Sequence, residues 1–358
     1  MLAVVCAAYT QLRGTMAIPL LTSARRADSS LLLWSSRRGV CAALSALLVL
    51  LGCHSQIPIT IAVIPRTAGN SLWEPIHGGA EAAAVATGDN IYWNAPTRED
   101  DVEGQIALVN QVVARGYQGL ILAPDQSLAL ITPVRRALAK GLPTVVVSSD
   151  LPIPAGGKLS YILNNEELAA RIASARVQSL RHREGSVAVL GIDPDIAGIL
   201  ARVRYFEQEM GQIDPNITLI KRMGSFNFLH EQQVAEETFK SSPGVEVVVA
   251  LTWASARGAI AAIEHSPELR GVKVIGFDPD GAPPFNLASL DSVIIQNTRA
   301  MGQKAVEEID AIRRGQPVPA TLELEPKLVT RENINSPEVQ QWTSMDWRAV
   351  PWNWSTTH

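Results

Sequence analysis

Apolar runs alternate with amphipathic stretches from about residue 57 to residue 335. The apolar runs are short and almost uninterrupted, which is typical of parallel strands that helices cover on both faces. Between them, apolar residues recur at helical spacing: Val102, Ile106, Val109 and Val113 share one face of a predicted helix. The pattern predicts an α/β fold with two doubly wound parallel sheets. The predicted strands are ITIAVI, GLILAP, PTVVVS, SVAVLGI, ITLIKR, VEVVVA, VKVIGF, SVIIQ and the extended TLELEP.

The same rhythm resumes after Asn164, which predicts two lobes rather than one domain. We expect the chain to pass between the lobes near Asn164, near Gln296 and near residue 320. A hinge of three strands would then let the lobes close on a ligand. The predicted N-terminal lobe comprises 57–163 plus 297–320, and the predicted C-terminal lobe comprises 164–296 plus 321–335.

A tryptophan-rich tail, 336–358, follows the second lobe. Trp342, Trp347, Trp352 and Trp354 are half of the eight tryptophans in the chain. We expect these rings to strap the C-terminus onto a lobe as additional apolar packing, and docking of a partner is the alternative.

Residues 1–53 are predicted to be a signal peptide with a lipoprotein leader. Two arginines precede the apolar run VCAALSALLVLL, which is too short to span a bilayer but fits the core of a secretory signal peptide. The run ends in LLGC, which resembles the lipobox of bacterial lipoproteins and makes Cys53 the predicted lipid anchor. A plain signal peptide or a buried cysteine are the alternatives. The sequence therefore predicts export to the periplasm or cell surface, with membrane contact through the anchor alone.

Composition narrows the function further. The net charge is −4 and the basic residues are dispersed, so the electrostatic footprint of a nucleic-acid partner is missing. The three cysteines, at 6, 41 and 53, all precede the globular part, which argues against a catalytic thiol or a cysteine-ligated metal there. The motifs GxGxxG and GxSxG do not occur, and the histidines show no metal-ligand spacing. We therefore expect no enzyme activity, no metal and no cofactor.

Polar and aromatic residues stand where the predicted strands end. In doubly wound sheets ligands bind beyond the carboxyl ends of the strands, so these residues are the candidate site. Carboxylates accept hydrogen bonds, and amides both donate and accept them, a mixture that suits hydroxyl-rich ligands. Aromatic rings suit the apolar C–H face of a sugar. The candidates are Asn70, Trp73, Asp125, Ser148, Ser149, Asp150, Thr252, Trp253, Asp278 and Gln296, with Phe226 as a second ring.

These segments resemble type I periplasmic sugar-binding proteins of the ribose-binding kind, the substrate-binding components of ABC transporters. NSLWEPIHGGAEAAA resembles the first ligand loop and helix of that family, with Asn70 and Trp73 retained and Leu72 in place of the first aromatic residue. PTVVVSSD resembles a loop that retains Asp150, with Ser148 where the first acid would be. ARVRYF, GSFNF, VIGFDPDG and SVIIQNTRAMGQ resemble the segments that would supply Arg202, Phe226, Asp278 and Gln296.

The chain departs from the family pattern at one wall of the site. Thr252 and Trp253 replace the usual Asn-Asp pair, and Ser148 and Ser149 add only short hydroxyls. The departure predicts a less polar site than one for ribose, and favours a larger or partly apolar sugar or a sugar-like alcohol. Asp150 and Asp278 have an alternative role as helix caps.

The resemblance implies a monomeric binding protein that captures a sugar or polyol between two lobes and delivers it to an ABC transporter permease. A receptor that passes the ligand signal to a membrane sensor kinase is the alternative that the sequence leaves open. A repressor with the same ligand-binding fold would need an N-terminal helix-turn-helix, and residues 1–56 carry an apolar leader instead.

Overall fold

The structure, a computed structural model, describes residues 58–69, 71–182 and 185–343. The predicted anchor Cys53, the candidate ligand residue Asn70 and the tryptophans at 347, 352 and 354 lie outside these residues. Among the helices that the structure describes, none combines the length and the apolarity that a membrane crossing needs.

Strands and helices alternate along the described chain. The strands are β1 (Thr60–Ile64), β2 (Asn90–Trp93), β3 (Gly119–Leu122), β4 (Thr144–Ser148), β5 (Leu159–Asn164), β6 (Ser186–Ile192), β7 (Leu219–Met223), β8 (Val245–Ala250), β9 (Lys273–Phe277), β10 (Leu290–Ile295), β11 (Thr321–Leu324) and β12 (Lys327–Thr330). The helices are α1 (Glu74–Thr87), α2 (Val102–Arg115), α3 (Ile131–Ala139), α4 (Glu166–Leu180), α5 (Ala197–Ile213), α6 (Phe228–Ser241), α7 (Trp253–His265), α8 (Thr298–Arg313) and α9 (Pro337–Thr343).

Two sheets of six strands share one topology. The first has the order β11-β5-β4-β3-β1-β2 and is entirely parallel. The second has the order β12-β10-β9-β8-β6-β7, in which only the edge strand β12 runs antiparallel to its neighbour β10. Buried apolar residues cover both faces of each sheet, as the uninterrupted apolar runs predict. The predicted fold of two doubly wound lobes is confirmed.

Within the residues that the structure describes, the chain crosses between the sheets three times. After β5 it enters α4, whose Ala169, Ala173 and Val177 pack on the second sheet. After β10 it enters α8, whose Met301 and Ile309 pack on the first sheet. These two crossings follow Asn164 and Gln296.

The third crossing lies later than the sequence predicts. Strand β11 pairs in parallel with β5 of the first sheet, and β12 pairs with β10 of the second. The crossing therefore falls at residues 325–326 rather than near residue 320, and 321–324 belong to the first lobe. Strand β11 alternates exposed and half-buried residues because it lies at the sheet edge, so its sequence does not reveal which sheet it joins.

The described part of the tail packs against the second lobe. Val339 of α9 belongs to the buried core of that lobe, and Trp342 packs against the same core. The Lys327 ammonium lies 4.6 Å from the centre of the Trp342 ring. These contacts agree with a strap, and the role of the remaining tryptophans stays a prediction.

Helices α1 and α8 approach each other with no side chain between their backbones. A Cβ atom at Gly302 would overlap the carbonyl oxygen of Ile76, and one at Gly79 would overlap that of Arg299. Glycine is therefore required at both positions because the obstacle is backbone, which cannot rotate away. The contact joins α1, which follows the loop after β1, to α8, which follows the second crossing between the sheets.

We expect Gly302→Ala to lower the free energy of unfolding by about 2 kcal/mol, because the added methyl group overpacks the contact. Urea denaturation of the purified variant measures this change. Gly211→Ala, in α5, is the matched control, since no atom lies within 4 Å of its added Cβ. Alanine there should leave stability unchanged or raise it by up to about 1 kcal/mol. Equal stabilities for the two variants would contradict the close contact.

Candidate functional site

A cleft of about 480 Å³ is lined by residues that follow strands of both sheets. This position and this size are those of small-molecule sites in doubly wound folds. Apart from Asn70, which the structure does not describe, and Asp125 and Asp150, which lie outside the cleft lining, every predicted ligand residue lines the cleft. They are Leu72, Trp73, Ser148, Ser149, Arg202, Phe226, Thr252, Trp253, Asp278 and Gln296.

Asp150 lies outside the cleft, contrary to the prediction. Its side chain is exposed, and its backbone oxygen accepts a hydrogen bond from Ser127 Oγ at 3.1 Å. The reason is the backbone at Ser148, whose φ of 67° is in the left-handed region. The chain therefore turns out of the cleft after β4, so that Ser148 and Ser149 line it and Asp150 does not.

A row of hydrogen-bonded side chains crosses the cleft floor from one lobe to the other. Asp278 Oδ1 accepts from the Gln296 backbone N–H at 3.1 Å, and Asp278 Oδ2 accepts from Gln296 Nε2 at 2.9 Å. Gln296 Oε1 in turn accepts from Ser148 Oγ at 3.2 Å. Asp278 has a φ of 47°, a strained conformation for a non-glycine residue that this network holds in place. Asp278 and Gln296 are thus fixed in orientation before any ligand arrives.

Arg202 is buried beside this row and is held by its own lobe. Its Nε and Nη2 donate to the two carboxylate oxygens of Glu166 at 2.8 and 2.9 Å. Nη2 also donates to Asp278 Oδ2 at 3.2 Å, and Nη1 donates to the Leu251 backbone oxygen at 2.9 Å. Burial alone would lower the pKa of Arg202, but the two carboxylates raise it above its ordinary value. The guanidinium mainly positions carboxylates, and few of its N–H donors remain to bind a ligand.

The hydroxyls of Ser149 and Thr252 are engaged by backbone groups. Ser149 Oγ accepts from the Gly198 N–H of the second lobe at 2.8 Å. Thr252 caps helix α7 in a reciprocal capping box with Ser255. The hydroxyls of this wall are therefore largely engaged within the protein.

The aromatic residues lie deeper than a stacking platform requires. Trp73 is 2% exposed and packs in the core of the first lobe, although its edge lines the cleft. Its Nε1 has no hydrogen-bond partner among the described residues. Trp253 is 9% exposed, and Phe226 is half-buried. The cleft thus has apolar walls above a polar floor.

Direct contacts join the lobes around the cleft. The Ser71 backbone N–H and Oγ both donate to Asp280 Oδ1 at 2.6 Å. On the other side, the Ser127 N–H donates to the Asp195 backbone oxygen at 3.1 Å. Together with the contact between Ser149 and Gly198, these bonds show that the lobes are closed on each other.

A second charge cluster lies beside the cleft. Arg66 and Glu99 line the cleft and are not among the predicted site residues, whereas Asp125 is a predicted candidate that does not line it. Arg66 Nε donates to Asp125 Oδ1 at 3.3 Å, and its Nη2 lies 3.1 Å from Glu99 Oε2. The Arg66 guanidinium carbon lies 4.5 Å from the centre of the Phe226 ring. Arg66 follows β1 by two residues, so the same strand-end reasoning that selected Asp278 could have found it.

Burial raises the pKa of Asp125 to about 6, although the Arg66 charge lowers it. Glu99 and Asp100 raise it further by repulsion. Asp125 is therefore the carboxyl group of this cluster that titrates just below neutral pH. Across the described residues, no group of histidines, cysteines and carboxylates is arranged to hold a metal ion.

Comparison with known proteins places the chain among binding proteins. The sequence profile of the periplasmic binding protein domain matches residues 61–317. The ribose import binding protein of Escherichia coli strain K12 is 26% identical over 296 residues, which cover 80% of this chain and 96% of that protein. The D-apiose import binding protein of Paraburkholderia graminis is 28% identical over 262 residues, which cover 72% and 81%.

Solved structures share the fold. An ABC transporter solute-binding protein from Agrobacterium vitis, bound with α-D-tagatopyranose, has a TM-score of 0.72 and 22% identity, and the match covers 79% of this chain and 98% of that one. A carbohydrate transporter solute-binding protein from Agrobacterium radiobacter, in complex with D-arabinose, has a TM-score of 0.71 and 22% identity, and the match covers 80% and 99%.

We expect the stability of the protein to fall as pH rises from 5 to 7, relative to Asp125→Asn. The pKa of Asp125 is higher in the folded protein, about 6, than in the unfolded chain, so its stabilising protonated form is lost as pH rises through 6. The difference between the two proteins should change by about 1 kcal/mol over this range. Urea denaturation at both pH values measures it. A constant difference would show that Asp125 does not titrate there.

Proposed function

Since the chain belongs to the periplasmic binding protein family, we propose that it captures a sugar or sugar-like ligand between its lobes and delivers it to an ABC-type importer. Members of the family bind solutes and are not enzymes, and they are periplasmic, so the protein is exported. The relatives reported above are named as import proteins, which favours transport over sensing.

The row of Asp278, Gln296 and Ser148 is the observation that carries this proposal. It offers a carboxylate, an amide and a hydroxyl in fixed positions at the floor of an apolar-walled cleft. A sugar hydroxyl both donates and accepts, so it matches this mixture, and its C–H face matches the walls. Asn70, Trp73 and Phe226 are proposed as further ligand contacts, with Leu72 and Trp253 as apolar wall.

The ligand that we propose is larger or less polar than ribose. The hydroxyls of Ser149 and Thr252 are hydrogen-bonded to backbone N–H groups. Most N–H donors of Arg202 are bonded to Glu166, Asp278 and the Leu251 backbone oxygen. Few polar partners then remain above the floor for a second ring of hydroxyls. We infer further that the protein acts as a monomer, because each lobe contributes to one cleft within the same chain.

We expect one or more members of a sugar panel to raise the melting temperature of the purified protein. The panel contains D-ribose, D-allose, D-apiose, D-arabinose, D-tagatose, D-fucose and simple polyols. A ligand at a hundredfold excess over its Kd adds about 2.7 kcal/mol to the free energy of unfolding, since it binds the folded state alone. Differential scanning fluorimetry measures the shift.

Asp278→Asn should abolish that shift because it removes the central acceptor of the floor. Asp291→Asn is the matched control: Asp291 is also paired with an arginine, Arg176, but it does not line the cleft. The control should keep the full ligand-induced shift even if its own melting temperature falls. A panel without any shift would contradict the sugar class, and an unchanged shift in Asp278→Asn would contradict the proposed floor.

We also propose that Cys53 carries a lipid after removal of residues 1–52. Inhibition of the lipoprotein signal peptidase by globomycin should cause the unprocessed chain to accumulate. The Cys53→Ser variant should be insensitive to globomycin and should not incorporate labelled palmitate. Incorporation of palmitate into Cys53→Ser would show that the anchor lies elsewhere.

A further inference from the structure

Arg66 is a charged residue of the cleft wall to which the proposed function gives no role. Its side chain is 9% exposed, and two carboxylates of its own lobe fix the guanidinium. Asp125 accepts from Nε at 3.3 Å, and Glu99 Oε2 lies 3.1 Å from Nη2. All three residues belong to the first lobe, so the position of the guanidinium is set independently of the second lobe.

The same guanidinium meets the second lobe at Phe226. The distance of 4.5 Å from its carbon to the ring centre is within the range at which a cation is attracted to an aromatic face. Burial raises the pKa of Asp193, also of the second lobe, and the Arg66 charge lowers it. The interaction of Arg66 with this lobe therefore has both an aromatic and an electrostatic component.

The corner around Arg66 also contains a backbone contact between the lobes. Ser127, two residues after Asp125, donates its N–H to the backbone oxygen of Asp195, two residues after Asp193. The loops that carry the charges of this corner are therefore in direct contact. If the lobes separated, the bonds of Arg66 to Asp125 and Glu99 would remain, and its contact with Phe226 would be lost.

Arg202 differs from Arg66 in this respect. Its partners Glu166, Asp278 and Leu251 all lie on the second-lobe side of the first crossing, and its guanidinium covers Phe277 of that lobe at 4.1 Å. Separation of the lobes would leave these contacts intact. Of the two buried arginines of the cleft, Arg66 is thus the one whose contacts depend on closure.

We propose that Arg66 is a positioning residue that latches the closed cleft: Asp125 and Glu99 hold its guanidinium, and the guanidinium holds Phe226 of the opposite lobe. The latch rests on the proposed function in one respect, that closure serves ligand capture. It assigns to Phe226 a role in closure as well as in contact with the ligand. It also explains why one cation is given two carboxylates, since the pair fixes the direction of the guanidinium and not only its charge.

The test uses small-angle X-ray scattering of the ligand-free protein and four variants. Arg66→Lys keeps the charge beside Asp125 and Glu99 but loses the planar group that covers the ring. Phe226→Leu keeps apolar volume and removes the ring. Arg66→Lys, Phe226→Leu and the double variant should each show a larger radius of gyration than the wild type. The double variant should show no further increase over the single variants, because both changes remove the same contact.

Arg204→Lys is the matched control, because Arg204 covers the Tyr205 ring at 4.9 Å within a single lobe and does not line the cleft. It should scatter like the wild type. Thermal denaturation confirms that each variant is folded. Identical scattering from the wild type, Arg66→Lys and Phe226→Leu would overturn the latch, as would additive increases in the double variant.

A second measurement separates the latch from the identity of the ligand. Any of D-ribose, D-allose, D-apiose or D-arabinose that binds should dissociate about tenfold faster from Arg66→Lys than from the wild type. This factor is equivalent to about 1.4 kcal/mol. An unchanged dissociation rate would count against the latch even if the sugar binds. If no member of the whole sugar panel binds, the sugar class fails, and the scattering experiment still decides whether the latch exists.

Discussion

A buried cation has to be neutralised where it lies, and the arrangement of the cleft floor follows from how Arg202 meets this requirement. Glu166, its bidentate partner, is the first residue of the helix that follows the first crossing between the lobes. Asp278, its second partner, is bonded to Gln296, which lies at the second crossing. One guanidinium thereby ties two of the three crossings to the floor of the cleft. The groups that face a ligand are held by the same bonds that hold the hinge.

Much of the fold could be predicted from the sequence because buried parallel strands leave an unmistakable apolar signature. Where strands lie at a sheet edge the signature fades. Strand β2 (NIYW) is exposed or half-buried at every position, and the sequence does not reveal it. Strand β11 is equally ambiguous, so its sequence does not show that the third crossing follows it. Pairing with a particular sheet is a property of tertiary contacts, which short edge strands do not encode locally.

The candidate site shows the same division. The ends of the strands could be read from the sequence. Asp278, Gln296 and Ser148 stand at such ends, and they line the cleft. The direction of the chain after a strand could not be read in the same way, because a positive φ at a serine has no sequence signal. The turn at Ser148 that takes Asp150 out of the cleft is therefore not predictable from the sequence. Glu166 follows β5 by two residues, so its position at a strand end is visible in the sequence. Its pairing with Arg202 is a tertiary contact between distant helices, which the sequence does not encode locally.

The glycine contact between α1 and α8 has a consequence for attempts to transplant this site. Backbone touches backbone at Gly79 and Gly302, so the two helices fit each other to within the radius of an atom. Helix α1 follows the loop that ends in Trp73, and α8 begins at Thr298, two residues after Gln296. If the loop before α1 were exchanged alone to introduce a new ligand specificity, the new loop would be joined to a helix whose surface fits the α8 of this protein. The smallest unit that can be exchanged between relatives is therefore the loop together with both helices, although they are separated by more than two hundred residues of chain.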